Sequence, residues 1–325
     1  MANSNIKLKL LYLMDILLEK TDENNYLTVN DIITELSRYG ISAERKSIYS
    51  DIELLKLYGL DIICHKGRAN KYFIGSRDFE LAELKLLVDS VQSSKFITHK
   101  KSKELIKKLE KLTSKSQAKD LDRNVIVANR IKTNNERIFY NVDTLHKAIQ
   151  ENKKVSFNYF DYNLDKEIEF RRNKSTYIIS PYALTWSDDN YYLIGYHDRY
   201  DDISNFRVDR MMNIELLKED RYLIEDYKEF NVADYSRKIF NMFIGELEVV
   251  ELEFDNSLIN VVIDRFGKDM FINKKENSFS IKVEVEISDT FLGWLFIFGD
   301  EAKILSPQKL KYRMKEKVKN VMKLY

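Results

Sequence analysis

Hydrophobic residues in the first 60 positions recur every three or four residues in three stretches, the spacing of amphipathic helices. Gly40 and Gly59 follow the second and third stretches as helix stops. Two β-rich runs, residues 61–65 and 71–75, then flank a turn, which predicts a hairpin. The first 75 residues therefore predict three helices and a hairpin. The apolar positions defining the helices are Leu10, Leu13, Met14 and Leu17, then Ile32, Ile33 and Leu36, then Ile48, Ile52 and Leu55.

Two residue types that cap helices precede the second and third helices. Thr28 is followed three residues later by Asp31, a short variant of the capping box. Ser42 precedes the third helix, and we predict that it is the N-cap of that helix.

The remaining pattern changes twice along the chain. Residues 79–113 predict two further helices, and residues 141–151 predict one more. Strand-like runs begin at Val155, and strands and helices alternate after about residue 226. We therefore predict an α+β multidomain fold. Its four parts are residues 1–76, 77–140, 141–225 and 226–325.

Composition narrows the class of protein. Hydrophobic residues make up 44% and charged residues 32%, which is globular rather than disordered composition. No apolar run is long enough to span a bilayer, and the N-terminus lacks a secretory pattern. Cys64 is the single cysteine, so an intrachain disulfide is excluded. These features lead us to expect a cytoplasmic protein that does not enter a membrane.

The whole-chain charge of +1 hides a local basic segment. Residues 1–75 are neutral, but residues 38–71 carry +3, and the local sign sets the field that a phosphate backbone meets. The polar face of the third helix is basic at its N-terminal turn, and the hairpin turn is basic too. In a helix-turn-helix, the N-terminal turn of the recognition helix contacts base edges in the major groove. The alternative is an ordinary solvated helix face. The predicted DNA-binding residues are Ser42, Arg45, Lys46, Ser47, Tyr49, Ser50, Lys66 and Arg68.

Patterns of catalytic residues are missing from the sequence. The four histidines are scattered, with no metal-ligand spacing. Cys64 is interpreted as a small core residue rather than a nucleophile. Neither a phosphate-binding glycine-rich loop nor G-x-S-x-G occurs. We therefore predict no enzyme activity, no cofactor and no metal.

Three separated motifs, in order, resemble those of WYL-domain transcriptional regulators. The segment 41–59 is similar to R-x-x-I-Y-x-D-I, with Arg45, Tyr49 and Asp51 in register. Tyr191-Tyr192-Leu193 stands where the family has Trp-Tyr-Leu, so its first position departs from the pattern. Residues 206–211, FRVDRM, fit F-R-x-D-R, and the stretch FLGWLFIFGDEAKILSP is similar to the extension domain of these regulators.

This resemblance implies a division of labour between the four parts. Residues 1–76 would be a winged helix-turn-helix that binds a double-stranded DNA operator, and residues 77–140 a helical linker. Residues 141–225 would be an Sm-like β-barrel WYL domain that senses a ligand, and residues 226–325 a C-terminal α/β extension domain. A homodimer and a nucleotide or single-stranded nucleic-acid effector are also implied. The alternative function is an accessory single-stranded nucleic-acid-binding protein, for example in phage defence.

Residue chemistry agrees with an anionic or base-bearing ligand for the WYL segment. Arginine offers a planar fork for phosphate, and aromatic rings stack on bases. Tyr191 and Tyr192 alternate along a strand, so only one of them can point into a pocket. The alternative is that Tyr192 and Trp186 are core residues and that Arg210 pairs with a carboxylate. The predicted ligand-binding residues are Tyr159, Tyr191, Tyr192, His197, Arg207 and Arg210.

Overall fold

The computed structural model describes residues 2–121, 132–133, 135–187, 189–222, 235, 239, 242 and 245–325. The chain divides into two compact units, Met1–Glu136 and Arg137–Tyr325. Both units combine helices with antiparallel sheets, which confirms the α+β prediction. Nowhere in these described ranges is a helix both long and apolar enough to cross a bilayer.

The first unit begins with three helices and a small antiparallel sheet in the strand order β1-β3-β2. The apolar stripes of the three helices meet in one core, where Leu13, Ile32 and Ile48 are fully buried. Ile74, at the end of the hairpin, joins the same core. The elements are α1 (Ala2–Lys20), β1 (Leu27–Thr28), α2 (Val29–Arg38), α3 (Arg45–Tyr58), β2 (Ile62–His65) and β3 (Lys71–Ile74).

Local signals explain most helix ends here, with one exception. Thr28 accepts a hydrogen bond from the Asp31 backbone while the Asp31 side chain accepts from the Thr28 backbone, so the predicted capping box is confirmed. Gly59 ends α3 in the left-handed conformation, with φ of 116°. The prediction that Ser42 caps α3 is wrong, because α3 begins at Arg45 after an extended Glu44. Ile41 is buried in the core, and the chain stays non-helical until it has passed this anchor.

Three further helices pack within the first unit: α4 (Leu81–Ser93), α5 (His99–Leu109) and α6 (Lys115–Leu121). Polar side chains attach the neighbouring segments to the end of α1. The Arg77 guanidinium donates to the carbonyl of Leu18, in the last turn of α1, at 2.6 Å and to that of Thr21, just after the helix, at 2.8 Å. The Ser114 hydroxyl, just before α6, donates to the buried Asp22 carboxylate.

The second unit begins with a helix followed by a bent sheet in the order β5-β4-β6-β7-β8. Strand β9 also pairs with β4, on the edge opposite β6. Register shifts interrupt the β4–β9 and β6–β7 pairs. Such bulges bend strands and increase their twist. The elements are α7 (Ile138–Gln150), β4 (Lys153–Tyr162), β5 (Ile168–Phe170), β6 (Tyr177–Ser187), β7 (Asn190–His197), β8 (Asp202–Arg207) and β9 (Met211–Asp220).

The C-terminal segment has a second sheet, in the order β11-β12-β10-β13. Every strand pair described in this sheet is antiparallel, so the segment is α+β in the strict sense and the predicted α/β type is wrong. Helix α9 (Asp289–Phe296) places Phe291 in the same buried core as Phe254. The elements are β10 (Glu246–Asp255), α8 (Ile259–Phe266), β11 (Ile272–Lys274), β12 (Ser278–Ile287), α9 (Asp289–Phe296), β13 (Ala302–Ser306) and α10 (Gln308–Met322).

Candidate functional site

The solvent-exposed face of α3 carries four of the predicted DNA-binding side chains: Arg45, Lys46, Tyr49 and Ser50. Because Ile48, Ile52 and Leu55 take the buried face, helical geometry turns these four residues outward. Ser42 is exposed in the segment before the helix. Lys66 and Arg68 are exposed in the turn between β2 and β3. The first unit therefore presents two groups of exposed basic residues, one on α3 and one on the hairpin turn.

The remaining predicted residue, Ser47, faces the interior of the first unit. Its hydroxyl accepts a hydrogen bond from the Lys9 ammonium of α1. The same ammonium lies 2.7 Å from the Asp51 carboxylate, and both charged side chains are almost buried. Asp51 therefore has a structural role, because it joins the first turns of α3 to α1. Sequence reasoning missed Lys9, since nothing local to α1 indicates its partner on α3.

Replacing Lys9 with methionine is expected to destabilise the first unit by about 2–3 kcal/mol, because Asp51 would stay buried without its cation. The double variant Lys9→Met/Asp51→Leu should recover most of this loss, since an apolar pair of similar volume needs no compensating charge. Urea unfolding followed by far-ultraviolet circular dichroism measures both free energies. Lys103→Met, at an exposed position on α5, is the control. Equal stability of Lys9→Met and Lys103→Met would contradict the buried-pair interpretation.

The second unit contains a cavity of about 830 Å³ beside the sheet β4–β8. Four arginines and five aromatic side chains contribute to its wall, a composition suited to anions and flat rings. The lining residues are Tyr159, Asp161, Arg171, Arg172, Tyr177, Asn190, Tyr192, His197, Tyr200, Ser204, Asn205, Phe206, Arg207, Arg210 and Met242.

Arg207, at the end of β8, is held in place on several sides. Its guanidinium donates to both carboxylate oxygens of Asp209, at 3.0 and 2.8 Å, and to the side-chain oxygen of Asn190 at 2.8 Å. The hydrogen bond to Asp209 raises the pKa of Arg207, so the group stays charged. Its backbone N–H donates to the Tyr159 hydroxyl at 3.1 Å. Burial raises the pKa of Tyr159, which keeps that phenol neutral.

Two further arginines converge on one carboxylate at the cavity wall. Arg171 forms a two-pronged contact with Asp161, and Arg210 approaches the same carboxylate at 3.4 Å. The hydrogen bond with Asp161 raises the pKa of Arg171. Arg171 lies over the Tyr159 ring, and Arg210 lies over the Tyr162 ring. Because two guanidinium groups share one carboxylate, this wall retains positive charge. The alternative interpretation, in which Arg210 pairs with a carboxylate, thus agrees with the structure, although Arg210 also lines the cavity.

The two consecutive tyrosines of β7 have different surroundings, as the alternation of side chains along a strand requires. Tyr192 is buried and lines the cavity, whereas Tyr191 does not line it and packs its ring edge-on against Trp186 at 4.6 Å. Trp186 is 47% exposed, so its interpretation as a core residue is wrong. Trp186 lies near the end of the long strand β6, where the ring packs on Tyr191 rather than in the interior.

The structure brings together five of the six predicted ligand-binding residues: Tyr159, Tyr192, His197, Arg207 and Arg210. Sequence reasoning missed other residues of the wall, above all Arg171, Arg172 and Tyr200. A signal was present in the Arg171–Lys174 run, RRNK, three basic residues in four positions between two strands. Net charge concealed it, because residues 141–225 sum to −4. Folding places the arginines at the cavity and most of the acidic side chains elsewhere.

Comparisons with known proteins agree with this architecture. A family model described as WYL domain matches residues 140–216, and one described as WCX domain matches residues 246–322. A search of curated proteins gives no match.

Two solved structures align with almost the whole chain at 14% identity each. One is proteasome accessory factor B/C (PafBC) of Arthrobacter aurescens, with a TM-score of 0.29 over 98% of this chain and 48% of that one. The other is a CRISPR Cas-related protein, with a TM-score of 0.38 over 99% of this chain and 85% of that one. The chain thus spans about half the length of PafBC.

The two domain matches lie in the order that the sequence motifs indicated. Apart from Met242, the lining residues named above all lie in the region matched by the WYL model. The chain therefore contains a WYL domain at residues 140–216, followed by a WCX domain at residues 246–322.

Proposed function

We propose that the chain is a ligand-responsive DNA-binding transcriptional regulator, and not an enzyme. Residues 1–76 act as a winged helix-turn-helix that reads duplex DNA, and the WYL cavity binds a nucleotide or single-stranded nucleic-acid effector. The observation that carries this proposal is the occurrence, in one chain, of an exposed basic helix face and a separate cavity lined by arginines and aromatic rings.

The exposed face of α3 has the chemistry that base reading needs. Arg45 and Lys46 can donate to guanine acceptors, and Tyr49 and Ser50 can bond bases or phosphates. Lys66 and Arg68, in the turn after β2, act as the wing that contacts the DNA backbone. The buried Lys9–Asp51 pair supports this role, because a reading helix must be held rigidly by its domain.

The cavity favours a compact effector over a long strand. Its volume of about 830 Å³ lies within the range of small-molecule sites. Arg207 and Arg210 supply charged donors for phosphate, and Tyr159 and Tyr192 supply ring surface for a base. In this proposal residues 77–140 are a helical linker, residues 141–225 an Sm-like barrel, and residues 226–325 the extension domain.

A dimer gives the effector a way to control DNA binding. One small basic surface binds weakly at physiological salt, and two surfaces joined in a homodimer bind more tightly through effective concentration. An effector that changes the spacing of the two reading helices alters affinity without touching DNA. Coupling of this kind is about 5–150-fold in affinity.

Selection of duplexes from a random library with the full chain tests the proposal. We expect a preferred duplex sequence, whose affinity shifts when short oligothymidylates are added. Failure to select any duplex, together with tight oligothymidylate binding, would instead support the accessory single-stranded nucleic-acid-binding protein. Analytical ultracentrifugation of the protein–duplex complex determines whether two chains bind one duplex.

Replacing Arg210 with glutamine is expected to weaken oligothymidylate binding about tenfold, the loss of one charge-assisted hydrogen bond. Fluorescence anisotropy with a labelled tetranucleotide measures the affinity. Lys218→Gln removes the same charge from an exposed position of β9 outside the cavity wall, and it should bind as the wild type does. Equal losses in both variants would mean that net charge, and not the cavity, determines binding.

A further inference from the structure

The turn Arg171–Lys174 has an unusual backbone. Arg172, Asn173 and Lys174 all adopt positive φ, at 53°, 50° and 65°. Residues other than glycine rarely enter this region, and they remain there when the surroundings determine the conformation, often at ligand sites. Arg172, in this strained turn, lies at the cavity wall.

Arg172 is held by rings rather than by a carboxylate. Its guanidinium carbon lies 4.3 Å from the centre of the Tyr177 ring and 5.0 Å from that of Tyr200. One of its nitrogens donates to the Tyr200 hydroxyl. Among the side chains that the structure describes, no carboxylate forms an ion pair with Arg172, whereas Asp161 or Asp209 neutralises each of the other three cavity arginines in part. Within the described part of the chain, Arg172 therefore brings to the wall a fixed positive charge that no carboxylate pairs with.

His197 faces the same guanidinium. Its Nδ1 accepts a hydrogen bond from the Arg199 backbone N–H at 3.2 Å, so the neutral ring carries its proton on Nε2. That Nε2 lies 3.4 Å from an Arg172 nitrogen, which also carries hydrogen. Two donors thus converge, and an acceptor between them would satisfy both. Tyr200, whose hydroxyl already accepts from Arg172, has its own hydrogen left to donate.

We propose that Arg172, His197 and Tyr200 form a subsite for a terminal phosphate monoester of the effector. The inference rests on the proposed function, because it specifies the ligand of the same cavity. A monoester has three peripheral oxygens and up to two negative charges, whereas an internal diester has two such oxygens and one charge. Three donors, one of them an arginine that pairs with no carboxylate among the described side chains, match the monoester. The subsite would therefore distinguish a phosphorylated strand end from a continuous strand.

Binding at this subsite should take up a proton. Burial, followed by the charge of Arg172, lowers the pKa of His197 below its ordinary value, so the free ring is neutral at pH 7. The other groups around the ring are Tyr177, Tyr200, Arg199 and Asp198, and Asp198 is paired with Lys154. A phosphate dianion beside the ring stabilises the imidazolium and raises this pKa. Affinity for a phosphorylated probe should therefore rise as the pH falls from 8 towards 6.5.

The test compares tetrathymidylates carrying a 5′-phosphate, a 3′-phosphate or no terminal phosphate, bound to the full chain. We expect one of the two phosphorylated probes to bind about tenfold more tightly than the unmodified probe, the gain of one charge-assisted hydrogen bond. Arg172→Gln should reduce this preference to within about twofold, while Lys174→Gln, an exposed charge of the same turn, should keep it. Tyr200→Phe, which keeps the ring, should lose part of the preference.

Calorimetry in buffers of different ionisation enthalpy should show proton uptake with the phosphorylated probe. Equal affinity for all three probes would overturn the subsite and leave the proposed effector class intact. Failure of every probe to bind would overturn the subsite and the effector class together, while duplex binding is tested separately. Undiminished preference in a folded Arg172→Gln variant, checked by circular dichroism, would also overturn the assignment.

Discussion

Replacing Arg45 and Lys46 together with alanine is expected to weaken binding to the selected duplex by at least about 100-fold. Both side chains are exposed on the face of α3 opposite its buried stripe. A hydrogen bond from a charged donor contributes about 1.5–3 kcal/mol, and 1.4 kcal/mol corresponds to a factor of ten. Removing two such hydrogen bonds gives the expected factor, and in a dimer the substitution removes each of them twice. Stability should not change, because neither side chain lies in the core.

Fluorescence anisotropy at several salt concentrations measures this effect. Removing one interaction with a phosphate should reduce the slope of log affinity against log salt by about 0.9, whereas removing a hydrogen bond to a base should leave that slope unchanged. Lys315→Ala/Lys319→Ala removes the same two charges from exposed positions of α10 and should bind as the wild type does. An Arg45/Lys46 variant that binds within twofold of the wild type would exclude α3 as the reading helix.

Replacing Phe157 with alanine is expected to destabilise the second unit by about 3–5 kcal/mol, the usual cost of removing a buried aromatic ring. Phe157 is fully buried on β4. The centre of its ring lies 5.6 Å from that of Tyr177 and 5.3 Å from that of Phe206. Both neighbours line the cavity. The variant should therefore also lose affinity for oligothymidylates, because the rings of the wall lose their support.

Tryptophan fluorescence during urea unfolding reports the second unit selectively, since the two tryptophans of the chain are Trp186 and Trp294. Phe271→Ala is the matched control, because the Phe271 side chain is 80% exposed and its loss should change stability by less than about 0.5 kcal/mol. Similar unfolding free energies for the two variants would mean that Phe157 is not part of a packed core.

Features of α2 and α3 were predictable because their causes are local. The Thr28–Asp31 capping box joins residues three positions apart, and Gly59 ends α3 through its own backbone freedom. The stripe of Ile48, Ile52 and Leu55 follows from the helical period. Ser42 shows the limit of this reasoning, since α3 begins at Arg45, three residues beyond this good capping residue.

The sequence by itself determined the α+β class, the helical pattern of the first unit and the resemblance to WYL-domain proteins, because periodicity, caps and short motifs are properties of neighbouring residues. Tertiary structure decided which charges meet. It paired Lys9 with Asp51 across two helices, brought Asp161 to Arg171 and Arg210, and placed Arg172 opposite His197. These partners are separated by 10 to 49 positions in the chain, and the path of the strands and helices between them sets their distance.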